Sequence, residues 1–392
     1  MRRFIVLDTP NRPFHHNRIF DPEVARRYPG GLVAVRFYEL ATRDGYRVVT
    51  CDLVDTQGIS PREAILLTEQ WSPHTSTLLM RGALPGIVIS HETLWHAWAF
   101  YSKLRRISKL YEHVFLFEGA REWVENGRAI FHRAYFPQAR REVEDRSGLA
   151  WGDKNFLALI NSNIPPPSGL RYRLACLREP ALCKDLYAER LRAIAYFSRK
   201  PGFHLYGRGW AGGKQWLSTE VYEGVLRCYQ GECVDKVATL AQYRFGICFE
   251  NTRFKGYVTE KIFDCFFAGC IPIYYGAPDV EQYVPNETFI DFREFNTYED
   301  LDAFLAGMTP TRAERYLSAT RDFLHSAAFE LFHQDSVAKK LLDVVNTLNE
   351  SEVRQEPALT TRLWLMADIA QRAGKRRIQP LWRLLRGVIC KA

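Results

Sequence analysis

The sequence predicts an α/β protein with two domains, and three observations lead to that prediction. At 392 residues the chain exceeds the roughly 250 to 300 residues at which a single core usually stops growing. Its apolar residues, 47% of the total, are sufficient for globular cores. Short alternating apolar runs recur between stretches of helical periodicity, which favours open sheets over an antiparallel barrel.

The first third of the chain predicts an N-terminal domain over 1–150. Candidate strands occupy 4–8 and 46–53, and the segment 32–40 fits either a strand or a helix. Apolar segments at 59–71, 85–92 and 113–119 continue the alternation. The polar stretch 120–152 is interpreted as the interdomain linker.

The second domain is predicted over 151–350. Its candidate strands are 155–163, 204–210, 243–251, 270–276 and 288–292, and helical patterns lie between and after them. In such sheets ligands bind beyond the carboxyl ends of the strands, which places the polar ends of 155–160 and 245–249 at a site. The tail, 351–392, ends in alternating basic and apolar residues, which fits a basic amphipathic helix at a membrane surface or an end that packs on the domain.

The cysteine content indicates the cellular compartment, whereas the net charge does not identify a binding partner. The formal net charge of +8 suits nucleic acid, a phosphorylated ligand or an anionic membrane, with solubility as the alternative. The nine Cys show no CxxC and no Cys/His cluster at zinc spacing, so we expect no metal site. An odd number favours reduced thiols, and with a short N-terminal apolar run we expect a cytoplasmic protein. His15 and His16 lie in a Pro-flanked loop that we interpret as solvated, although it could approach an acceptor.

The segment from Cys248 to Gly269 carries the strongest functional pattern. Thr259 is a candidate N-cap, apolar positions 262, 263, 266 and 267 form one helix face, and Gly269 falls where a C′ glycine belongs. A helix that begins after a strand and a glycine loop exposes N–H groups to phosphate. Lys261 in the first turn opposes the helix dipole unless an anion offsets it. Glu260 suits a ribose diol.

The run FENTRFKGYVTEKIFDCFFAGCIPIYYGAPDVEQYVP resembles the donor-binding signature of the α-1,3/4-fucosyltransferases, of bacterial type. The resemblance covers about 45 residues with ordered spacing across loop, helix and strand, and it weakens upstream to about residue 60. It implies a GT-B fold, in which two Rossmann-like domains with parallel sheets face a central cleft. It also implies GDP-fucose as donor, inversion at the anomeric carbon and no requirement for a metal or other cofactor.

The same resemblance implies the donor contacts. Glu260 would bind the ribose and Lys261 the phosphates, and Arg190 matches the diphosphate-binding arginine of the family. The complete predicted donor site is Arg190, Asn251, Tyr257, Glu260, Lys261, Glu250, Asn161 and Gly207, the last in a glycine turn that faces the donor.

An inverting transfer also requires a general base, which the family places on a Glu that closes an N-terminal strand. Glu92, after the apolar run GIVI, is our choice, and Glu118 and Glu69 are the rivals. A metal-using enzyme would carry Asp-x-Asp at a strand end. The one such motif, Asp300-Leu301-Asp302, lies in a helical pattern and is interpreted as surface.

We therefore predict an α-1,3-fucosyltransferase that acts on a GlcNAc- or Glc-containing oligosaccharide or glycolipid, with peripheral contact to the inner membrane through the tail. A related interpretation keeps the scaffold and uses another GDP-deoxyhexose. A different class is a basic nucleic-acid-binding protein, which would cluster basic and aromatic residues on one face, whereas here Arg and Lys are spread along the chain. A catalytically inactive glycan-binding homologue is the third interpretation.

Overall fold

The computed structural model describes residues 2–93, 96–124, 129–145, 147–164, 177, 185–212, 217–350 and 359–372. These residues form two parallel sheets with helices packed against them, which confirms the predicted α/β class. No helix in this described part is long and apolar enough to span a bilayer.

The N-terminal sheet has six strands in the order β2-β1-β3-β4-β5-β6, every neighbouring pair parallel. They are β1 Phe4–Asp8, β2 Arg47–Thr50, β3 Ala64–Glu69, β4 Leu84–Ile89, β5 His113–Leu116 and β6 Ile130–Arg133. The candidate strands 4–8 and 46–53 and the apolar segments 59–71, 85–92 and 113–119 each contain one of these strands, apart from the first residue of β4. β6 was not predicted, and it lies inside the segment interpreted as linker.

The C-terminal sheet has five parallel strands in the order β11-β10-β9-β7-β8. They are β7 Asn155–Ile160, β8 Phe203–Tyr206, β9 Tyr243–Phe249, β10 Ile271–Tyr275 and β11 Ile290–Asp291. Each lies within a predicted strand segment, apart from the first residue of β8. The sheet order reverses between β7 and β9, and at such a switch point a parallel α/β sheet leaves a crevice for a ligand.

Helices connect the strands and cover both sheets. They are α1 Pro22–Ala25, α2 Leu32–Arg43, α3 Thr75–Met80, α4 Trp98–Tyr101, α5 Leu104–Ile107, α6 Tyr187–Phe197, α7 Thr219–Cys228, α8 Lys236–Leu240, α9 Glu260–Phe267, α10 Tyr298–Ala306, α11 Pro310–Leu324, α12 Ala327–Glu330, α13 Gln334–Glu350 and α14, residues 359–372. The segment 32–40 is helical, because Phe37 and Ala41 lie on one face and pack on β1.

The last two helices return to the N-terminal sheet. Leu341 and Val345 of α13 share a core with Ile5 and Leu7 of β1. In α14, Trp364 packs against Trp71 with 5.3 Å between ring centroids. The proposed C-terminal domain, 151–350, therefore ends in a helix that packs on the other sheet. Residues 373–392, where we predict the basic amphipathic helix, lie outside the described residues.

The loop that precedes α9 also joins the two halves of the molecule. Phe254 and Tyr257 are buried in the core that contains Phe117 and Ala120 of the N-terminal domain. The Gly119 amide donates a hydrogen bond to the Lys255 carbonyl at 3.0 Å. This contact fixes the start of α9 relative to the carboxyl ends of the N-terminal strands.

Candidate active site

A cavity of about 1140 Å³ lies between the two halves of the molecule. Residues 26–32, 137–140 and His96 line it from one side, and the ends of β7, β8 and β9 with the start of α9 line it from the other. Its volume suits a ligand larger than a single sugar, since small-molecule pockets usually measure 300–1,000 Å³. Six of the eight predicted donor residues line this cavity: Asn161, Arg190, Gly207, Asn251, Glu260 and Lys261.

Glu250 is the buried anion beside the first turn of α9. Its carboxylate accepts hydrogen bonds from the Thr259 amide at 2.7 Å and from the Thr259 hydroxyl at 2.8 Å. Lys261 Nζ lies 3.0 Å from the same carboxylate. Thr259 is therefore the N-cap residue, as predicted, but its hydroxyl bonds to Glu250 instead of capping the helix. Glu250 does not line the cavity and acts through Lys261.

Lys261 is offset by protein carboxylates, and an external anion is not needed to explain its position. Burial alone would lower its pKa, but Glu250 and Glu260 outweigh burial, so the pKa of Lys261 is raised. The ammonium group is therefore charged at neutral pH. About one fifth of the side chain remains exposed at the cavity, which leaves it available to a phosphate.

Glu260 lies between two lysines at the cavity wall. Its Oε1 is 3.7 Å from Lys261 Nζ and 3.6 Å from Lys236 Nζ. Burial opposes ionisation, but the two lysines outweigh it and lower the pKa of Glu260 to about 2. An ionised carboxylate only accepts hydrogen bonds, and this property suits the hydroxyl groups of a ribose.

Arg190 is the other buried cation of this wall. It projects from α6, and its Nε and Nη2 donate to the Phe249 carbonyl at 3.2 and 2.7 Å. Nη2 also donates to Asn251 Oδ1 at 2.9 Å. Nη1 makes no hydrogen bond to any described residue and is available at the cavity.

The remaining predicted donor residues occupy different positions. Gly207 has a φ of +134°, and a Cβ there would lie 2.0 Å from the Asn161 carbonyl oxygen, so this close approach requires glycine. Tyr257 is buried and does not line the cavity. Its hydroxyl accepts from Asn251 Nδ2 at 3.4 Å, and its ring packs edge-on against Phe117. Tyr257 therefore supports Asn251 and the loop.

Glu92 approaches this wall from the N-terminal domain. It follows β4, and its backbone carbonyl accepts a hydrogen bond from the Tyr101 hydroxyl at 2.8 Å. Desolvation raises the pKa of its carboxyl to about 7, Lys261 opposes that shift, and Glu260 adds to it. The charges of Lys261 and Glu260 on the opposite wall therefore act on the pKa of Glu92. The Glu92 side chain is nevertheless 44% exposed.

Both rivals of Glu92 are held by other groups. Glu118 accepts hydrogen bonds from Arg121 at 2.5 Å and from Arg133 at 3.3 Å, and Arg121 lowers its pKa. Glu69 accepts from the Thr9 hydroxyl at 2.6 Å, and burial raises its pKa. None of the three carboxylates lines the cavity. Glu92 is favoured because Lys261 and Glu260 influence its pKa, whereas Arg121 and Arg133 hold Glu118 and Thr9 holds Glu69.

Two site residues were missed by sequence reasoning. Lys236, in the short helix α8, contacts Glu260 and lies 3.1 Å from Asp264. His96 lies 3.4 Å from the Glu92 carboxylate, and burial lowers the pKa of its ring to about 4. Neither belongs to a recognisable motif, because both meet the site only through tertiary packing. Asp300 and Asp302 lie in α10, as predicted, and Asp302 pairs with Lys200 at 2.6 Å.

Comparisons with known proteins agree with this architecture. Residues 204–357 match the family described as glycosyltransferase family 10 (fucosyltransferase), C-terminal part. The α-(1,3)-fucosyltransferase FucT of Helicobacter pylori is 33% identical over 117 residues, which are 29% of this chain and 24% of that protein. The human α-(1,3)-fucosyltransferase 7 is 38% identical over 96 residues, 24% of this chain and 28% of that protein. The matched segments thus span about a quarter of the length of these relatives.

A solved α-glucosyltransferase in complex with UDP-glucose and DNA containing an abasic site superposes with a TM-score of 0.50 at 10% identity, over 88% of this chain and 99% of that chain. A solved α1,3-fucosyltransferase with GDP-fucose has a TM-score of 0.42 at 15% identity, over 91% and 93% of the two chains. Two parallel sheets that face one cleft define the GT-B class of glycosyltransferases, and this chain has that fold. Residues 204–357 of this chain are similar to glycosyltransferase family 10, the fucosyltransferases.

Proposed function

We propose that this chain is an inverting α-1,3-fucosyltransferase that moves L-fucose from GDP-fucose to a hydroxyl of a GlcNAc- or Glc-containing glycan. One observation carries the proposal. Arg190, Lys261 and the ionised Glu260 share one wall of the cavity, and Glu92 approaches the same charges from the other domain. The family match and the relatives described above support the donor and the reaction.

The cavity wall contains the groups that a nucleoside diphosphate requires. Lys261 Nζ and the Nη1 of Arg190, which has no partner among the described residues, are cationic donors for the phosphates, because charge-assisted hydrogen bonds to phosphate are the stronger kind. Glu260, ionised and acceptor-only, pairs with the ribose hydroxyls. Glu250 has no exposure, and its role is to hold Lys261.

Transfer then needs one bond to form and one to break. Glu92 takes the proton of the acceptor hydroxyl while that oxygen attacks the anomeric carbon of fucose from the face opposite to GDP. The bond from this carbon to the β-phosphate oxygen breaks, and its electron pair leaves with GDP. A base with a pKa of about 7 is well matched to neutral pH.

The charge that develops on the leaving GDP meets fixed cations. Lys261 and Arg190 lie at the wall where we place the diphosphate, and preorganised charges of this kind are usually the largest contribution to catalysis. We therefore expect transfer to proceed without a metal ion at the phosphates.

The test is a transfer assay with GDP-fucose against type 1, type 2 and lactose acceptors, followed by linkage analysis of the product by NMR. We expect an α-1,3-linked product, equal initial rates with and without excess EDTA, and slower turnover of GDP-mannose and GDP-colitose. Faster turnover of another GDP-deoxyhexose would assign that sugar nucleotide, instead of GDP-fucose, as the donor. Loss of the transfer step in EDTA with recovery in Mn²⁺, or salt-sensitive oligonucleotide binding without GDP binding, would overturn the proposal.

A further inference from the structure

Three side chains that can bind a metal meet at the carboxyl edge of the N-terminal sheet. His15 lies in the loop after β1, Cys51 follows β2, and His74 immediately precedes α3. One ligand atom from each lies within 4.8 Å of the other two. Within the described residues this is the one such group of three or more His, Cys, Asp or Glu side chains. The absence of zinc spacing along the sequence therefore did not exclude a cluster formed by folding.

The distances between these atoms are close to those of a tetrahedral site. Metal bonds of about 2.0–2.1 Å to nitrogen and about 2.3 Å to sulfur place neighbouring ligand atoms roughly 3.4–3.8 Å apart. Shifts of about an ångström in the side-chain atoms would bring ligand atoms 4.8 Å apart into this range. Two imidazoles and a thiolate are ligands for Zn²⁺ and related borderline ions, whereas Mg²⁺, Ca²⁺ and Mn²⁺ prefer oxygen.

The surroundings of His15 are those of a ligating imidazole. Its Nε2 donates to the Thr9 carbonyl at 3.1 Å, which in the neutral ring leaves the lone pair on Nδ1. Metal-bound histidines usually make such a bond through their other ring nitrogen. Asp52 Oδ1 lies 3.9 Å from Nδ1, is buried, and has no hydrogen-bond partner among the described residues. Asp52 is therefore the nearest candidate for a fourth ligand.

Backbone strain is concentrated in the two loops that carry the histidines. His16, Asn17 and Gln70 are the non-glycine residues with positive φ in the described chain, at +58°, +59° and +60°. Two of them directly follow His15, and the third lies four residues before His74. Conformations of this kind persist where the surrounding structure fixes them, and they cluster at functional sites.

We propose that His15, Cys51 and His74 bind one Zn²⁺-class ion that fastens the loop after β1 to β2 and α3. The ion belongs to the N-terminal domain, not to the wall with Arg190 and Lys261, so it is a structural ion and not a phosphate-bridging one. Thr9, which accepts from His15 through its carbonyl, donates through its hydroxyl to Glu69 at the next strand end. Metal binding thus orders the edge of the sheet from which Glu92 also arises.

The test uses the full chain, stripped of metal by a chelator and then titrated with Zn²⁺, Mg²⁺ or Mn²⁺ in the absence of donor and acceptor. We expect one Zn²⁺ per chain and a rise in Tm of roughly 5 °C or more at a hundredfold excess over the Kd, with no rise for Mg²⁺ or Mn²⁺. With Co²⁺ we expect the visible absorption of a tetrahedral site and a thiolate charge-transfer band.

Variants assign the ion to this cluster. Cys51→Ser removes the charge-transfer band, and both Cys51→Ser and His74→Gln weaken Zn²⁺ binding by more than the 10- to 100-fold typical of outer-shell changes. His325→Gln and Cys233→Ser are controls, an exposed imidazole and a thiol that lie outside the cluster, and they should bind Zn²⁺ as the parent does. The stacked pair His113 and His132, with ring nitrogens 2.9 Å apart, is the competing site.

Three results would overturn the inference: no Zn²⁺ bound, Zn²⁺ bound equally by Cys51→Ser, or Zn²⁺ binding that is lost in His132→Gln. None of these readouts depends on glycosyl transfer, so failure here and failure of the proposed function are distinguishable. A chain that binds Zn²⁺ without any transfer would leave this site established and overturn only the enzyme assignment.

Discussion

Lys261 Nζ lies 3.0 Å from Oε2 of Glu250, a carboxylate with no solvent exposure. The lysine that opposes the dipole of α9 is thus balanced from inside the protein. The same ammonium group reaches the cavity, where it can meet a phosphate. Lys261 therefore has a structural role beside the ligand-binding role that we propose, and the two can be separated by experiment.

The pair Glu250–Lys261 predicts different outcomes for single and double variants. Lys261→Met should lower the free energy of unfolding by about 3–5 kcal/mol, because it leaves a buried carboxylate without its cation. It should also weaken GDP binding about 10- to 100-fold. Glu250→Gln/Lys261→Met should recover most of the stability and none of the GDP affinity, measured by chemical denaturation and calorimetry. Lys255→Met, at an exposed lysine of the same loop, is the control and should change neither quantity.

If Glu92 is the general base, its substitution should slow transfer, and its pKa should set the pH range in which kcat/KM of the parent rises. Glu92→Gln should lower kcat about 10²- to 10⁴-fold with GDP affinity unchanged. Because the base must be ionised, kcat/KM of the parent should rise with pH through about 7, the pKa of Glu92. If Glu118 were the base, kcat/KM would rise at a pH below 4.5, since the pKa of Glu118 is lowered from that value. Full activity of Glu92→Gln would disprove the assignment.

The contact between Gly119 and Phe254 predicts that a substitution in the N-terminal domain disturbs the loop that precedes α9. A Cβ on Gly119 would lie 2.7–2.9 Å from the Phe254 ring. Gly119→Ala should therefore cost about 1–3 kcal/mol of stability and raise the Kd for GDP. Gly152→Ala is the matched control, since nothing lies within 4 Å of its added carbon, and it should stay within about 0.5 kcal/mol of the parent. Equal effects of the two substitutions would show that this contact does not position the loop.

The contacts of Asp368 predict that the packing of α14 on the N-terminal domain weakens in acid. It accepts hydrogen bonds from Trp71 Nε1 at 3.3 Å and from the Ser76 hydroxyl at 2.7 Å, and it pairs with Lys103. Although burial opposes it, this network lowers the pKa of Asp368 to about 2. The folded state is stabilised above pH 3.8, and this contribution is lost as the pH falls from 3.8 towards 2.

Asp368→Asn should therefore speed amide exchange in α14 at neutral pH and remove the acid dependence of that exchange. Hydrogen exchange with mass spectrometry resolves both effects. Asp343→Asn, at an exposed position of α13, is the control. Unchanged exchange in Asp368→Asn would mean that apolar contacts such as Trp364 with Trp71 dock the helix unaided.

Much of the fold could be predicted from the sequence because its signals are local. Alternating apolar residues identified ten of the strands, and the helix 260–267 was recognisable from Thr259, its apolar face and Gly269, which has a φ of +62°. The short strand β6 was missed because its residues are only partly buried and their pattern is weak. The segment 32–40 could not be decided, because a short apolar run fits both a strand and a buried helix.

The sequence by itself determined that Glu250, Glu260 and Lys261 meet, because they lie within one strand–loop–helix unit and local geometry brings them together. Only the tertiary structure decided that the anion beside Lys261 is Glu250, that Lys236 contacts Glu260, and that Lys261 and Glu260 influence the pKa of Glu92. It also brought together His15, Cys51 and His74. The physical reason is that burial, charge and metal geometry depend on distances in space between residues far apart in the chain, and no local pattern encodes those distances.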